Sequence, residues 1–189
     1  MGTNMLGHFA LTGLLLDSLG RAGAPRVINI SSITHKNVHL DFDDLMSRHA
    51  YQANRAYNRS KLATTVFGLE LDRRLRAADS PILSVLAHPG MSRSNLNPRA
   101  LQDRGRFERL MARTILLALQ SPSAQGALPQ LYAATAPGVR GGQFFGPSGF
   151  KKIRGRGVKA AHPGAEAAAP KTGQRLWTEA EQLTGVTYL

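Results

Sequence analysis

The sequence predicts an α/β fold, with a parallel sheet of about three strands and helices on both faces. Three short apolar runs, "RVINISS", "PILSVLAHPG" and "GGQFFGP", are bounded by turn residues and have the length of buried strands. Longer segments with apolar residues at helical spacing lie between them. The order is helix, strand, helix, strand, helix, strand, helix, which favours right-handed crossovers between parallel strands.

The helical segments differ in how clearly their ends are marked. Residues 4–20 are apolar over so wide an arc that we expect this helix to be largely buried. The longest pattern covers 53–78, residues 97–119 are helical in part, and a further helix begins near Ser123. A final helix, "QRLWTEAEQLTG", ends at Gly185. The segment "ITHKNVHLDFDDLMSRH" is predicted to be an excursion loop with one helical turn at its end, and "KKIRGRG" begins a loop-rich region.

Composition limits the class of protein. A length of 189 residues suits a single domain covering 1–189. Cysteine is absent, which excludes disulfides and thiolate sites, and no apolar run is long enough to span a bilayer, so a cytoplasmic location is predicted. The formal net charge of +12 attracts polyanions, but most arginines are scattered and no aromatic residues alternate with them. Nucleic-acid binding is therefore not expected.

The first candidate for chemistry is the pair Tyr57 and Lys61 in "AYNRSKLA". Residues four apart share one face of a helix. An ammonium one turn from a phenol stabilises the phenolate, and a phenol tuned in this way can exchange a proton with an alcohol or a carbonyl. The competing interpretation is an ordinary surface pair, because this spacing is common.

Ser32 strengthens the interpretation because it ends the strand "RVINISS", at the edge where open α/β sheets bind ligands. A hydroxyl at that edge can bind a substrate oxygen near Tyr57. The competing interpretation is that Ser31 and Ser32 simply end a strand and start a turn, and that Asn4 is a helix cap.

Other polar residues are candidates for a metal site or a cofactor contact. His35 and His39 stand four apart beside Asp41, Asp43 and Asp44, but a polar loop is favoured over a metal centre. No metal site is predicted. His88, which precedes a Pro-Gly turn, is interpreted as a buried histidine with satisfied hydrogen bonds rather than a cofactor contact.

Four stretches in order, "TNMLGHF", "VINISS", "YNRSKLA" and "HPG", resemble the short-chain dehydrogenase/reductase family. The similarity is to the branch with retinol-dehydrogenase-like and WW-domain-oxidoreductase-like members, which "HLDFDDL" and "RLWTEAEQLTGV" also resemble. It covers nearly the whole chain. The resemblance implies a Rossmann-like fold and an oxidoreductase that interconverts an alcohol and a carbonyl with NAD or NADP.

The resemblance also implies roles for individual residues. Tyr57 corresponds to the general acid/base, and Lys61 to the lysine that holds the nicotinamide ribose and helps the tyrosine to ionise. Ser32 corresponds to the serine that orients the substrate, and Asn4 to the asparagine that supports a proton relay. Cofactor-binding positions are completed by three residues after the second strand: Pro89, Gly90 and Ser94.

No glycine-rich turn follows a strand near Asn4, so the chain corresponds to the C-terminal part of the family's fold, an N-terminally truncated one. The strand at 26–31 then has an open edge, and we expect marginal stability or association, for example as a homo-oligomer. An inactive fragment that serves as an interaction or assembly module is the alternative to the enzyme. Apolar residues in the excursion loop and in 91–120 favour a lipophilic small-molecule alcohol or ketone as substrate.

Overall fold

The structure, a computed structural model, describes residues 1–92, 121–149 and 155–189. It contains one sheet whose strands lie in chain order: β1 (Arg26–Ile30), β2 (Leu83–Ala87), β3 (Phe144–Pro147) and β4 (Val158–Ala160). The first three strands are parallel to one another and β4 runs antiparallel to β3. The α/β class and the three parallel strands are confirmed. β4 lies in the region predicted to be loop-rich. The sequence does not predict this strand because its three residues are half or fully exposed and form no apolar run.

The helices largely follow the sequence patterns. Their bounds are a π-helical turn Gly2–Leu6, α1 Gly7–Gly20, a 3-10 turn Ile33–Asn37, α2 Ala53–Ala77, α3 Ser123–Thr135, α4 Ala165–Ala168 and α5 Pro170–Thr184. α2 matches the predicted 53–78, and α5 is stopped by Gly185, the residue that follows it, whose φ of 69° is left-handed. The helical turn of the excursion loop was wrongly placed, since it lies at the start of the loop, where Ser32 caps it. The prediction for 97–119 falls outside the described residues.

The sheet has a helical layer on each face because successive strand residues alternate between faces. Ser84 and Leu86 of β2 face α2, and Val85 and Ala87 pack with α3 on the other side. α2 approaches the sheet closely at Gly68, where an added Cβ would lie 3.1 Å from the Leu86 side chain.

α1 is less buried than its sequence predicts. Phe9 is fully buried, whereas Leu11, Leu14 and Leu15 are 55%, 72% and 45% exposed. α1 is apolar on all sides, but only one of its faces packs against the core formed with α2 and α5. None of the helices within the described ranges is long and apolar enough to cross a bilayer.

β1 forms one edge of the sheet in the described part of the chain. Pro25 O and Ser31 N bond to β2, so the alternation of a parallel ladder points the backbone groups of Arg26, Ile28 and Ile30 away from it. The sequence predicts that β1 is buried on both faces. In the structure the strand is half-buried for most of its length, since it lies at the edge of the described sheet.

Candidate active site

The carboxyl end of β1 meets the first turns of α2. Lys61 Nζ donates a hydrogen bond to Ile30 O at 3.0 Å and lies 5.9 Å from the centre of the Tyr57 ring. Burial lowers the pKa of Lys61. The structure therefore places an ammonium group one helical turn from a phenol, beside the strand end that precedes Ser32.

The two serines after β1 have different surroundings. The Ser31 hydroxyl is buried and lies 3.1 Å from Lys61 O and 2.7 Å from Thr65 Oγ1, so it fastens the strand end to α2. The Ser32 hydroxyl is half-buried and accepts hydrogen bonds from the amide and hydroxyl of Thr34. Of the two residues, Ser32 is the less buried.

Asn4 joins the site from the π-helical turn. Its Nδ2 donates to Ser60 Oγ at 2.9 Å, and Ser60 Oγ donates to Tyr57 O at 2.7 Å. Thr64 Oγ1 donates to Asn4 O at 2.9 Å. Asn4 lies within the turn and Met1 is at the capping position, so the capping interpretation was wrong. π-helical turns open the regular hydrogen-bond ladder, and here Asn4 O accepts a side-chain bond from α2.

The second strand brings the Pro89–Gly90 turn to the same edge of the sheet. Gly90 has a φ of 67°, and its N–H donates to Nδ1 of the buried His88 at 3.1 Å. His88 thus supports the turn, as the interpretation of a satisfied buried histidine predicts. Ser94 lies outside the described residues.

Hydrogen bonds therefore link Asn4 to the Tyr57 turn and Lys61 to the end of β1, and Ser32 follows Ile30 by two residues. In the described part of the chain no hydrogen bond joins the Ser32 and Tyr57 side chains. Sequence reasoning missed the supporting hydroxyls of Ser60, Thr64 and Thr65. Their signal is the run of small polar residues in "YNRSKLATT" on a helix whose neighbouring positions are buried.

The candidate metal residues of the excursion loop do not converge. His35 is buried between two carbonyl groups, His39 contacts Glu166, and Asp41 accepts a bond from the buried Arg59 at 3.2 Å. Asp44 accepts bonds from the amides of the residues that follow it. Across the described ranges no group of three potential metal ligands is found.

No family model matches the chain. It is 34% identical over 188 residues to retinol dehydrogenase 13 of Homo sapiens and 37% identical over 192 residues to polyprenol dehydrogenase of Mus musculus. Each match covers 98% of this chain and 53% of the relative. The chain thus spans about half the length of the curated relatives it matches.

A solved structure agrees with these relatives. The crystal structure of an uncharacterized protein from Mycobacterium Paratuberculosis matches with a TM-score of 0.73 and 34% identity. The match covers 100% of this chain and 59% of that one. The chain is therefore a homologue of retinol and polyprenol dehydrogenases over about half of their length, and its α/β fold agrees with the resemblance to the short-chain dehydrogenase/reductase family.

Proposed function

We propose that the protein is an oxidoreductase that interconverts an alcohol and a carbonyl with NAD or NADP. The observation that supports this most directly is the placement of Lys61 between Tyr57 and the carboxyl end of β1, two residues before Ser32. The names of the relatives, retinol dehydrogenase and polyprenol dehydrogenase, favour the same class of reaction.

In this proposal Tyr57 exchanges a proton with the substrate oxygen. The ammonium of Lys61, whose burial reduces its screening by water, stabilises the phenolate when Tyr57 has lost its proton. Ser32 donates its hydroxyl to the substrate oxygen and so orients the reacting carbon. Asn4 holds the Tyr57–Ser60 turn of α2 through the Ser60 hydroxyl and so fixes the direction of the tyrosine.

The residues at this edge fit the nicotinamide-ribose end of the cofactor, which supplies or accepts the hydride when bound. An ammonium has three N–H donors, and in the described residues Lys61 directs one to Ile30 O, which leaves donors for ribose hydroxyls. Pro89 and Gly90 would line the same place from β2, followed by Ser94. The sequence contains no strand followed by a glycine-rich turn that would receive the pyrophosphate.

For the substrate we propose a lipophilic alcohol or its carbonyl partner. The support comes from the relatives, which are named for retinol and polyprenol. The excursion loop supports it less than the sequence suggests, because Val38, Leu40 and Phe42 are half-buried and pack against the protein core.

The test is NAD(P)-dependent oxidation of retinol and of short alcohols by the full chain, followed by the absorbance of the reduced nicotinamide. Tyr57→Phe removes only the phenolic hydroxyl, and with it the exchangeable proton, and we expect about 10²–10⁴-fold slower turnover. Tyr51→Phe is the matched control, since this tyrosine is 72% exposed and lies before α2. Wild-type turnover that persists in Tyr57→Phe would refute the assignment, and a chain that neither turns over substrate nor binds NADH or NADPH by fluorescence would refute the function.

We also propose that the outer edge of β1 associates with a second copy of the chain. The outward backbone groups of Arg26 and Ile28 support this, because open edge groups are a template for strand addition, whereas Ile30 O already accepts a hydrogen bond from Lys61 Nζ. Light scattering across a concentration series should show a mass above that of one chain, and a constant monomeric mass would contradict it. A cytoplasmic location, proposed from the absence of cysteine, is testable by cell fractionation.

A further inference from the structure

His35 connects the turn after Ser32 to a distant part of the chain. Its side chain is almost fully buried, with 1% of the residue exposed. Nδ1 lies 2.5 Å from Ser32 O and Nε2 lies 3.0 Å from Pro163 O, a residue 128 positions later. The ring therefore bridges the backbone of Ser32 and the segment before α4.

Two groups of His35 contact the backbone carbonyl of Ser32. Ser32 O accepts the Nδ1 contact and also the backbone amide of His35 at 3.3 Å. The Ser32 hydroxyl accepts hydrogen bonds from the amide and the hydroxyl of Thr34. Moving the His35 ring would therefore shift the peptide group of Ser32 and the direction of its hydroxyl.

Phe144 links the His35 ring to the second turn of the candidate site. The ring centres of His35 and Phe144 are 5.5 Å apart, and those of His88 and Phe144 are 5.4 Å apart. His88 in turn accepts the N–H of Gly90. The Ser32 turn and the Pro89–Gly90 turn thus rest on one packed set of three rings.

We propose that His35 is a positioning residue for Ser32, acting through a hydrogen bond from Nδ1–H to Ser32 O, with the Pro163 carbonyl close to the far side of the ring. The role in turnover rests on the proposed function, whereas the hydrogen bond itself does not. Neither His35 nor Pro163 is among the residues that the family resemblance assigns to the site.

The protonation state of His35 makes the proposal specific. Burial lowers the pKa of His35, Lys36 nearby acts in the same direction, and the Ser32 and Pro163 carbonyl groups oppose them. A neutral imidazole has one N–H, so only one of the two carbonyls can accept from it. The shorter contact assigns this hydrogen to Nδ1.

The first experiment is nitrogen NMR of the histidine rings in the wild-type full chain, which needs no substituted protein. The result expected is the Nδ1–H tautomer for His35. A ring protonated on Nε2 alone would lack the bond to Ser32 O and would overturn the proposal, whatever the activity of the chain.

The second experiment compares His35→Asn with His35→Gln. The Asn amide reaches the place of Nδ1 and the Gln amide that of Nε2. We expect hydrogen exchange of the Thr34 and residue-35 amides to quicken about 3–10-fold in the Gln variant and to stay near wild type in the Asn variant, as one hydrogen bond predicts. His39→Asn is the control because His39 is exposed. Equal exchange in both His35 variants would overturn the proposal.

Kinetics test whether His35 acts through Ser32. His35→Gln should lower kcat more than it raises KM, and it should add little to the loss already caused by Ser32→Ala. Full additivity of the two substitutions would mean a general structural role and would refute the positioning role. If the wild-type chain shows no turnover, the proposed function fails, and the tautomer and exchange results still decide the role of His35.

Discussion

Gly13 of α1 is the place where one added methyl group should test the packing of the C-terminal segment. An ideal Cβ there would lie 2.4 Å from Tyr188 Cδ1 and 2.9 Å from Val186 Cγ1. Tyr188 is anchored, since its hydroxyl donates to Phe9 O at 3.0 Å and its ring lies 4.8 Å from the Phe9 and Trp177 rings. Burial raises the pKa of Tyr188, with the same implication that its hydroxyl is enclosed. Gly13→Ala must therefore displace the tyrosine.

The magnitude follows from opposing contributions. Alanine in a helix interior is favoured over glycine by about 1 kcal/mol. Displacing Tyr188 loses a hydrogen bond of about 0.5–1.5 kcal/mol and aromatic contacts of about 0.5–1.5 kcal/mol per pair. We expect a net loss of about 1–2 kcal/mol, which lowers Tm by roughly 2–8 °C for a chain of this length.

The assay is thermal unfolding with Gly20→Ala as the matched control. Gly20 is in the same helix and an added Cβ there meets nothing within 4 Å, so this substitution should leave Tm unchanged or raise it. In a Tyr188→Ala background, Gly13→Ala should lose at least half of its effect. If Gly13→Ala raises Tm as much as Gly20→Ala does, the C-terminal segment does not pack against α1.

Three further predictions concern the site and the sheet behind it. Lys61→Met should abolish turnover. Because burial lowers the pKa of Lys61, the unfolded chain binds more protons than the folded chain between that pKa and the usual 10.5. In urea unfolding, the stability of the wild type relative to the variant should therefore rise with pH over this window. Gly146→Ala would place a Cβ 2.2 Å from His88 Nε2, and we expect about 1–3 kcal/mol of destabilisation with weaker NADH binding by fluorescence. The Nδ2 atom of the buried Asn29 donates to Ser84 Oγ at 3.1 Å, and Ser84→Ala removes this acceptor. We expect the free energy of unfolding to fall by about 1–3 kcal/mol, measured as a lower urea midpoint at constant m.

Each of these predictions has a contrary outcome. A stability difference for Lys61→Met that falls as pH rises would mean that the amine is not desolvated. Gly23→Ala, which meets nothing within 4 Å, is the control for Gly146→Ala, and equal Tm values would contradict the close approach to His88. Ser18→Ala removes an exposed hydroxyl that accepts from Arg21, and a loss as large as that of Ser84→Ala would contradict the importance of burial.

Local pattern was enough to predict most elements of the fold. The helical spacing of apolar residues located α2 to within a residue at its C-terminal end, because a long amphipathic pattern averages over many positions. It was insufficient for β4, whose pairing with β3 depends on residues ten or more positions away. It also overstated the burial of α1, because an all-apolar helix does not specify which of its faces meets a partner.

The chemical groups of the site were predictable from spacing, but their supports were not. Tyr57 and Lys61 are four apart, and the helix period alone puts them on one face. The acceptor of Lys61 is a backbone carbonyl of β1, and every residue type has that group. The His35 contacts to Ser32 O and Pro163 O are also to backbone atoms, so no side-chain motif identifies them.

Buried hydroxyls explain how α2 can hold the candidate pair Tyr57 and Lys61 in place while packing against a strand and a helix. Ser60 and Thr65 donate to carbonyls one turn back, at Tyr57 O and Lys61 O, and so satisfy themselves within the helix. The same oxygens then receive Asn4 Nδ2 and pair with Ser31 Oγ. Each buried hydroxyl thus serves the helix and a neighbouring element together, and removing one would leave a buried partner unpaired at about 1–3 kcal/mol. The small polar residues of "YNRSKLATT" lower helix propensity, yet they allow α2 to be fixed at the two turns that present Tyr57 and Lys61.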